Sequence, residues 1–256
     1  MAAAIVLALA LPAAAGSSKP DLARSLVLHW PLDKDASDAS GHGLDGTIHG
    51  ATPVAKGRVG GAFNFDGADD YVAIPPKATS GLLWATFAMW VNTTQSLANS
   101  LFWKNPALMG VATGGYGSRD LALMLKEGRP AFFHGLFQEG ADVAWFSRVS
   151  VADGEWHHIA LVNRGPRVAL YVDGRKVPGE AFLFGSSGGR YLGPMRDAVA
   201  GRGIGATRLF LSATNFPGKS GETPVAFYRG LIDDFRIWRR PLGPSDLANL
   251  IANPGR

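Results

Sequence analysis

The sequence predicts an all-β protein: a two-sheet antiparallel jelly-roll sandwich with a short C-terminal helix. Three observations carry this. Short apolar segments recur along the chain, separated by turn-forming residues, with 33 Gly and 16 Pro in 256 positions. Only one stretch, near the end, has the punctuation of a helix. No internal repeat or long linker divides the chain, and about a dozen antiparallel strands close on one core most simply as a Greek key or jelly roll.

The strands follow in order. Leu26, Leu28 and Trp30 alternate with Val27 and His29. Ala62–Phe65 and Tyr71–Ile74 flank Asp66-Gly67-Ala68-Asp69-Asp70, a turn composition. Thr86–Val91 is apolar on both faces, as in a buried strand. Leu101–Lys104, Leu121–Lys126 and Arg129–His134 come next, the last two joined by a Glu127-Gly128 hairpin. His157–Asn163, Arg167–Val172 and Arg175–Val177 form a three-strand meander turning at Asp173-Gly174. The Gly/Ser-rich stretch from Gly185 to Gly205 reads as a long loop, Leu209–Ser212 as a strand and Asn215 to Pro224 as a second loop. Ala226–Trp238 is a long strand with a bulge or bend at Gly230. The helix spans Pro244 to Ile251, with Gly243 or Ser245 at its cap and Pro254 beyond it.

Residues 1–15 are nearly all apolar and end in a small-x-small pattern at Ala13 and Ala15, which reads as a secretory signal, although no basic residue precedes the run. Residues 16–24 then form a disordered linker, and 25–256 one domain. The expected location is secreted or extracytoplasmic. The run is too short to span a bilayer. There is no Cys, which removes disulfides, thiolate metal sites and cysteine nucleophiles. The balance of 25 Lys and Arg against 21 Asp and Glu gives +4, without a basic run, so nucleic acid is not an expected partner.

Four blocks in fixed order carry a family resemblance. Leu28-His29-Trp30-Pro31-Leu32-Asp33 leads to Asp38-Ala39-Ser40-Gly41-His42-Gly43-Leu44-Asp45-Gly46. Gly60-Gly61-Ala62-Phe63-Asn64-Phe65-Asp66-Gly67 leads to Asp70-Tyr71-Val72. Gly154-Glu155-Trp156-His157-His158 leads to Leu170-Tyr171-Val172-Asp173-Gly174. Gly230-Leu231-Ile232-Asp233-Asp234-Phe235-Arg236-Ile237 precedes Pro241-Leu242. Together they resemble the laminin-G-like (LamG-like) domains of the concanavalin A-like lectin/glucanase superfamily. The resemblance implies two antiparallel sheets, an extracellular setting and ligand binding more often than catalysis; it is analogy at the level of the fold. It also implies a structural calcium ion where the first and last blocks meet. Asp38 is the best side-chain ligand, Asp233 or Asp234 the second, with Asp45 in the same acidic group and carbonyls around Gly43 completing an oxygen shell. An EF-hand is excluded, because Asp38 and Leu44 stand where that loop needs Gly and Glu. Asp66, Asp69 and Asp173 read as turn formers instead.

Catalytic patterns are missing. Glu127, Glu139, Glu155, Glu180 and Glu222 are the Glu residues, and none has Asp two positions later, as the glucanase strand motif requires. The strand motifs of jelly-roll alginate lyases are absent too; His134, Tyr116, Arg119 and Tyr191 are the residues a lyase would need to draw on. His157 and His158 are neighbours in a strand and point to opposite faces. There is no Gly-x-Ser-x-Gly elbow. No catalytic residue is assigned.

Aromatic residues suit sugar stacking. Trp30, Trp90 and Trp156 lie in strand blocks and are core candidates. Trp103, Trp145 and Tyr191 are platform candidates, with Trp145-Phe146 near Gln138, Glu139 and Asp142 as the expected exposed patch. Arg148 is a candidate for sulfate or uronate groups, as are Arg119, Arg190 and Arg196. The expected function is a secreted, lectin-like module binding a polysaccharide or glycan. A polysaccharide hydrolase or lyase, and a protein-adhesion module, stand as alternatives.

Overall fold

The structure is a computed structural model that describes residues 22–99, 104–111, 121–136, 141–165, 167–185, 188–195, 198–199, 209–215 and 224–255. In chain order the elements are α1 Leu22–Ser25, β1 Leu26–Trp30, β2 Thr47–His49, β3 Thr52–Val59, β4 Gly61–Asp66, β5 Tyr71–Ile74, β6 Ala85–Asn92, β7 Ala107–Val111, β8 Leu121–Lys126, β9 Arg129–Leu136 and β10 Ala141–Ser147. They continue as β11 Trp156–Asn163, β12 Arg167–Val172, β13 Arg175–Lys176, β14 Gly179–Gly185, β15 Gly188–Met195, β16 Ala198–Val199, β17 Leu209–Leu211, β18 Thr214–Asn215, β19 Pro224–Val225, β20 Arg229–Trp238 and α2 Pro244–Ala252.

The first sheet runs β13-β12-β11-β6-β20-β4-β3, with β1 on β20 and β16 on β12; the second runs β15-β14-β10-β9-β8-β7-β17-β5-β2. Every strand pairing within these two sheets is antiparallel. The first strand therefore lies beside the last long one, and the chain's two ends meet as the family blocks imply.

Strand alternation sorts the side chains. Trp30, Phe63, Phe65, Phe87 and Phe235 from the first sheet meet Val72, Leu121, Leu123, Phe132, Trp145 and Leu211 from the second in one core. On the outer face of the first sheet, Ala88, Ala160, Val162, Tyr171 and Trp238 are covered by Leu247 and Leu250 of α2. α2 begins after Gly243, whose N–H donates to Asp246 Oδ2 at 3.0 Å, an acidic side chain at the positive end of the helix.

The hairpins at Glu127-Gly128 and Asp173-Gly174 form as expected, with φ of 54° and 70°, then 50° and 74°, the two-residue turn that matches strand twist. Several expectations change. The long loop predicted from Gly185 to Gly205 instead holds β15 and β16; its glycines hid the strand because they contribute no apolar period. The bulge in the last long strand sits between Asp233 and Arg236, with Asp234 at φ 52°. Gly230 is also special, at φ 146°: a Cβ there would lie 2.4 Å from the Asn92 carbonyl oxygen. Finally, Leu22, Ala23 and Arg24, assigned to a linker, begin α1, where Leu22 packs on the apolar face under α2. Leu101–Trp103 lie outside the described residues, and Lys104 is in a helical turn rather than a strand.

Candidate functional site

The same strands β8, β9 and β10 that bury Leu123, Phe132 and Trp145 toward the core carry a second apolar set on their other face. Ala122, Met124, Ala131, Phe133 and Ala144 form it, with half-buried Phe146 packed against it. Register fixes the layout. Ala144 lies opposite Phe133 and Phe182, and Phe146 opposite Ala131 and Glu180. Phe182, also half-buried, meets Phe146 edge-on, with ring centroids 5.5 Å apart. Lys126 Nζ sits 4.9 Å from the Phe146 ring centre, a cation held over an aromatic face. One residue past β10, Arg148 donates from Nη2 to Glu180 Oε1 at 2.7 Å. Asp142 is buried on the same face of β10. The result is a half-buried aromatic pair beside a buried apolar cluster, with one Lys and one Arg–Glu pair next to it.

The expected ligand residues divide. Arg148 lies on this rim, exposed. Tyr191 stands in β15 opposite Phe182, so its strand borders the same patch. Trp145 is a correction: only 2% exposed, it belongs to the core, because alternation that brings Phe146 and Ala144 outward turns Trp145 inward. Gly179 lies so close beneath it that a Cβ there would lie 2.3 Å from the indole. Trp103 lies outside the described residues, as do Gln138 and Glu139. Phe182 was missed; its signal is the alternation Glu180, Phe182, Phe184 in a strand that pairs with β10. Of the residues a lyase would draw on, His134 is buried on the same strand face as core residue Phe132, and Tyr116 and Arg119 lie outside the described residues.

The acidic residues expected to hold calcium are engaged otherwise. Asp38 Oδ1 accepts from the His29 and Ser40 amides at 3.0 and 2.9 Å. Its Oδ2 accepts from the Leu44 amide at 3.0 Å and the Ser40 hydroxyl at 2.8 Å. Burial pushes the Asp38 carboxyl up, but these donors outweigh it and hold the group below the usual carboxylate range. Asp45 Oδ1 takes the Asp38 amide at 2.7 Å. Gly43, exposed at φ 66°, turns the chain between them. Asp234 lies 2.7 Å from His29 Nε2 and 2.9 Å from Arg236 Nη2. Burial raises it; the His29 bond and the Arg236 charge outweigh that and bring it low. Asp233 is fully buried and spends Oδ2 on the amides of Arg58 and Val59, at 2.6 and 2.7 Å. Burial pushes its carboxyl up to about 7. At Asp38, N–H and O–H groups already occupy both oxygens that a metal would need, whereas the buried Asp233 Oδ1 has no hydrogen-bond partner among the described residues. The two chain ends are joined by His29, whose amide meets Asp38 and whose ring meets Asp234.

A different acidic group converges. Asp66, Asp69 and Asp70, on the turn between β4 and β5, bring carboxylate oxygens within 4.8 Å of one another, the one such group of three found among the described residues. Asp66 Oδ1 caps the Ala68 amide at 2.7 Å and Asp70 Oδ2 the Asp66 amide at 2.9 Å. Burial and then the neighbouring Asp66 and Asp69 charges raise the Asp70 carboxyl, against the pull of the Asp66 amide. This cluster could bind a metal, because its crowded charges favour one.

Residues 66–193, half the chain, match the laminin-G-type family of the concanavalin A-like lectin/glucanases superfamily. With the two-sheet architecture, this establishes that the chain belongs to that superfamily. Among solved structures it is similar to domain 4 of AbnA, a GH43 extracellular arabinanase from Geobacillus stearothermophilus, determined in complex with arabinotriose: TM-score 0.57 and 19% identity over 89% of this chain and 98% of that one. It is also similar to the binding domain of Paraclostridial Mosquitocidal Protein 1 (TM-score 0.63, 15% identity, 90% of this chain and 52% of that one). A third is the botulinum neurotoxin serotype C1 binding domain (TM-score 0.61, 12% identity, 91% and 53%). The chain thus spans about half of each toxin domain. At these identities the likeness is one of fold. No curated protein sequence matches the chain.

Proposed function

We propose that the protein is a secreted carbohydrate-binding module that takes a polysaccharide or glycan against the outer face of its second sheet. The observation that carries this reading is the Phe146–Phe182 pair, with Lys126 and the Arg148–Glu180 pair beside it. Sugar rings present apolar C–H faces to such rings, and their hydroxyl or acidic groups meet the flanking charges. β15, which carries Tyr191 opposite Phe182, borders this pair. The arabinotriose complex of the arabinanase domain supports the reading, because that domain shares this fold nearly end to end.

Two further parts belong to the same reading. A calcium ion at Asp66, Asp69 and Asp70 would pin the turn between β4 and β5, offsetting the repulsion of three clustered carboxylates. Residues 1–15 would direct export, a reading supported by the small-x-small pattern at Ala13 and Ala15 and by the extracellular arabinanase as a neighbour.

A glycan array followed by titration tests the binding. Wild type is expected to retain a polysaccharide that Phe182→Ala and Arg148→Ala bind about tenfold more weakly, the loss of one stacking or charged contact. Absence of binding to any glycan, or binding that ignores both variants, would overturn the proposal.

A further inference from the structure

Away from the sugar platform, one end of the first sheet gathers four chain segments. Asn163 pairs with Ala85, Thr86 with Trp238, and Trp238 with Leu26, so the β11–β12 turn, the connection into β6, the exit from β20 and α1 lie together. The Arg239 amide donates to the Ser25 carbonyl at 2.9 Å, and Arg164 donates to the Leu242 carbonyl at 2.9 Å. These segments carry Arg24, Lys77, Arg164, Arg167, Arg239 and Arg240. Residues 22–25, 75–84, 163–168 and 239–243 contain no acid; Asp246, at the start of α2, pairs with Arg240 at 2.9 Å and is the one acid counted at this end against its six basic residues. The rest of the chain then holds 19 basic against 20 acidic residues, so the positive balance comes from this end.

At the centre of this charge stand two apolar side chains. Leu83 is 68% and Trp84 56% exposed, well above what their type favours. Trp84 is held rather than trailing: a Cβ on Gly165, at the turn tip, would lie 3.3 Å from its Nε1.

We infer that this end is a docking surface for a bilayer with anionic headgroups, Leu83 and Trp84 entering the interfacial layer while Arg24, Lys77, Arg164, Arg167 and Arg239 face lipid phosphates and carboxylates. An indole suits the headgroup level, with its apolar body inward and its N–H toward water. Leu83 decides between lipid and the other polyanion such a ring could meet, a sulfated glycan. A leucine offers a sugar neither a ring face nor a hydrogen bond, whereas it gains from transfer into acyl chains. Each basic residue near an anionic leaflet strengthens binding about fivefold.

The test is co-flotation of the full chain with phosphatidylcholine vesicles, with and without phosphatidylserine, titrated to give partition coefficients. Wild type is expected to favour the phosphatidylserine vesicles and to lose that preference in high salt. Arg167→Gln with Arg239→Gln should weaken partitioning about thirtyfold, and Leu83→Ser with Trp84→Ser at least about tenfold. Leu97→Ser, at another exposed leucine on a different connection, should leave it unchanged. The apolar residues 1–15 are common to all variants and cannot produce these differences. Equal partitioning into both vesicles, or indifference to both double variants, overturns the inference. Retention on heparin that needs the arginines but not Leu83 and Trp84 overturns it in favour of a sulfated glycan. A wild-type dimer that Leu83→Ser with Trp84→Ser dissolves overturns it in favour of a second copy of the chain. None of these outcomes touches Phe146 or Phe182, so the glycan platform stands or falls separately.

Discussion

Asp233→Asn separates the two readings of the last long strand, a calcium ligand or a buried carboxyl that clamps backbone. In the folded chain this carboxyl titrates near 7, against about 3.9 when unfolded. The folded state therefore keeps its proton after the unfolded state has lost one. Its contribution is fully present below pH 4 and is lost as pH rises through 7. That displacement amounts to about 4 kcal/mol against folding above pH 7. Asparagine keeps an oxygen for the Arg58 and Val59 amides but makes neutral bonds in place of charge-assisted ones, returning about 2 kcal/mol. The net expectation is a gain of about 2 kcal/mol at pH 8, or roughly 4–8 °C in melting temperature for a domain of this size. The gain should vanish toward pH 4.5. Calorimetry at both pH values, with chelator and with calcium, reads it. Destabilisation at pH 8 in chelator would refute the buried-carboxyl account. Destabilisation seen with calcium alone would make Asp233 a metal ligand after all.

Further expectations follow from other contacts. His158 is buried, which lowers its pKa to about 4; its folded value lies below the unfolded 6.5, so its stabilising contribution is present above pH 6.5 and is lost as pH falls toward 4, and His158→Gln should flatten the wild-type fall in melting temperature over that range. His157 goes the other way: burial lowers it, but bonds to Asp173 and Asp153 outweigh this and raise it, so His157→Gln should cost more stability at pH 5.5 than at pH 8.5, as urea unfolding at the two pH values will read. Trp145→Ala should lower stability by about 3–5 kcal/mol, as for any large core aromatic, without a selective effect on sugar affinity in the folded fraction. Calcium should raise the wild-type melting temperature and chelator reverse it; Asp69→Asn should abolish that response, and its persistence in Asp69→Asn would remove the metal from the β4–β5 turn.

Much of the fold could be read from residues alone. β1, β5, β6, β11 and β12 announce themselves by alternation or by continuous apolar runs, and the Asp173-Gly174 turn by a dipeptide whose geometry only a tight hairpin needs. β10 was less legible. Its outward positions are Asp142, Ala144 and Phe146 and its inward ones Val143 and Trp145, so both faces look mixed, and Trp145 next to Phe146 resembles an exposed pair. β15 is veiled by glycine. The acidic residues are hard to read for a different reason. A carboxylate that caps amides and one that binds calcium have the same spelling, and only the direction of the neighbouring N–H groups tells them apart. At Asp38 four donors decide it. Arg148 and the strand bearing Tyr191 fall beside the aromatic pair because β10, β14 and β15 are neighbours, a relation between segments that sequence order does not display.

The most direct measurement is a crystal structure with an oligosaccharide taken from the array. A sugar ring lying against Phe146 and Phe182, within about 4 Å, with its substituents toward Lys126 or Arg148, is the predicted result. A sugar seated elsewhere, or one cleaved between two carboxyl groups, would contradict a binding platform on the second sheet.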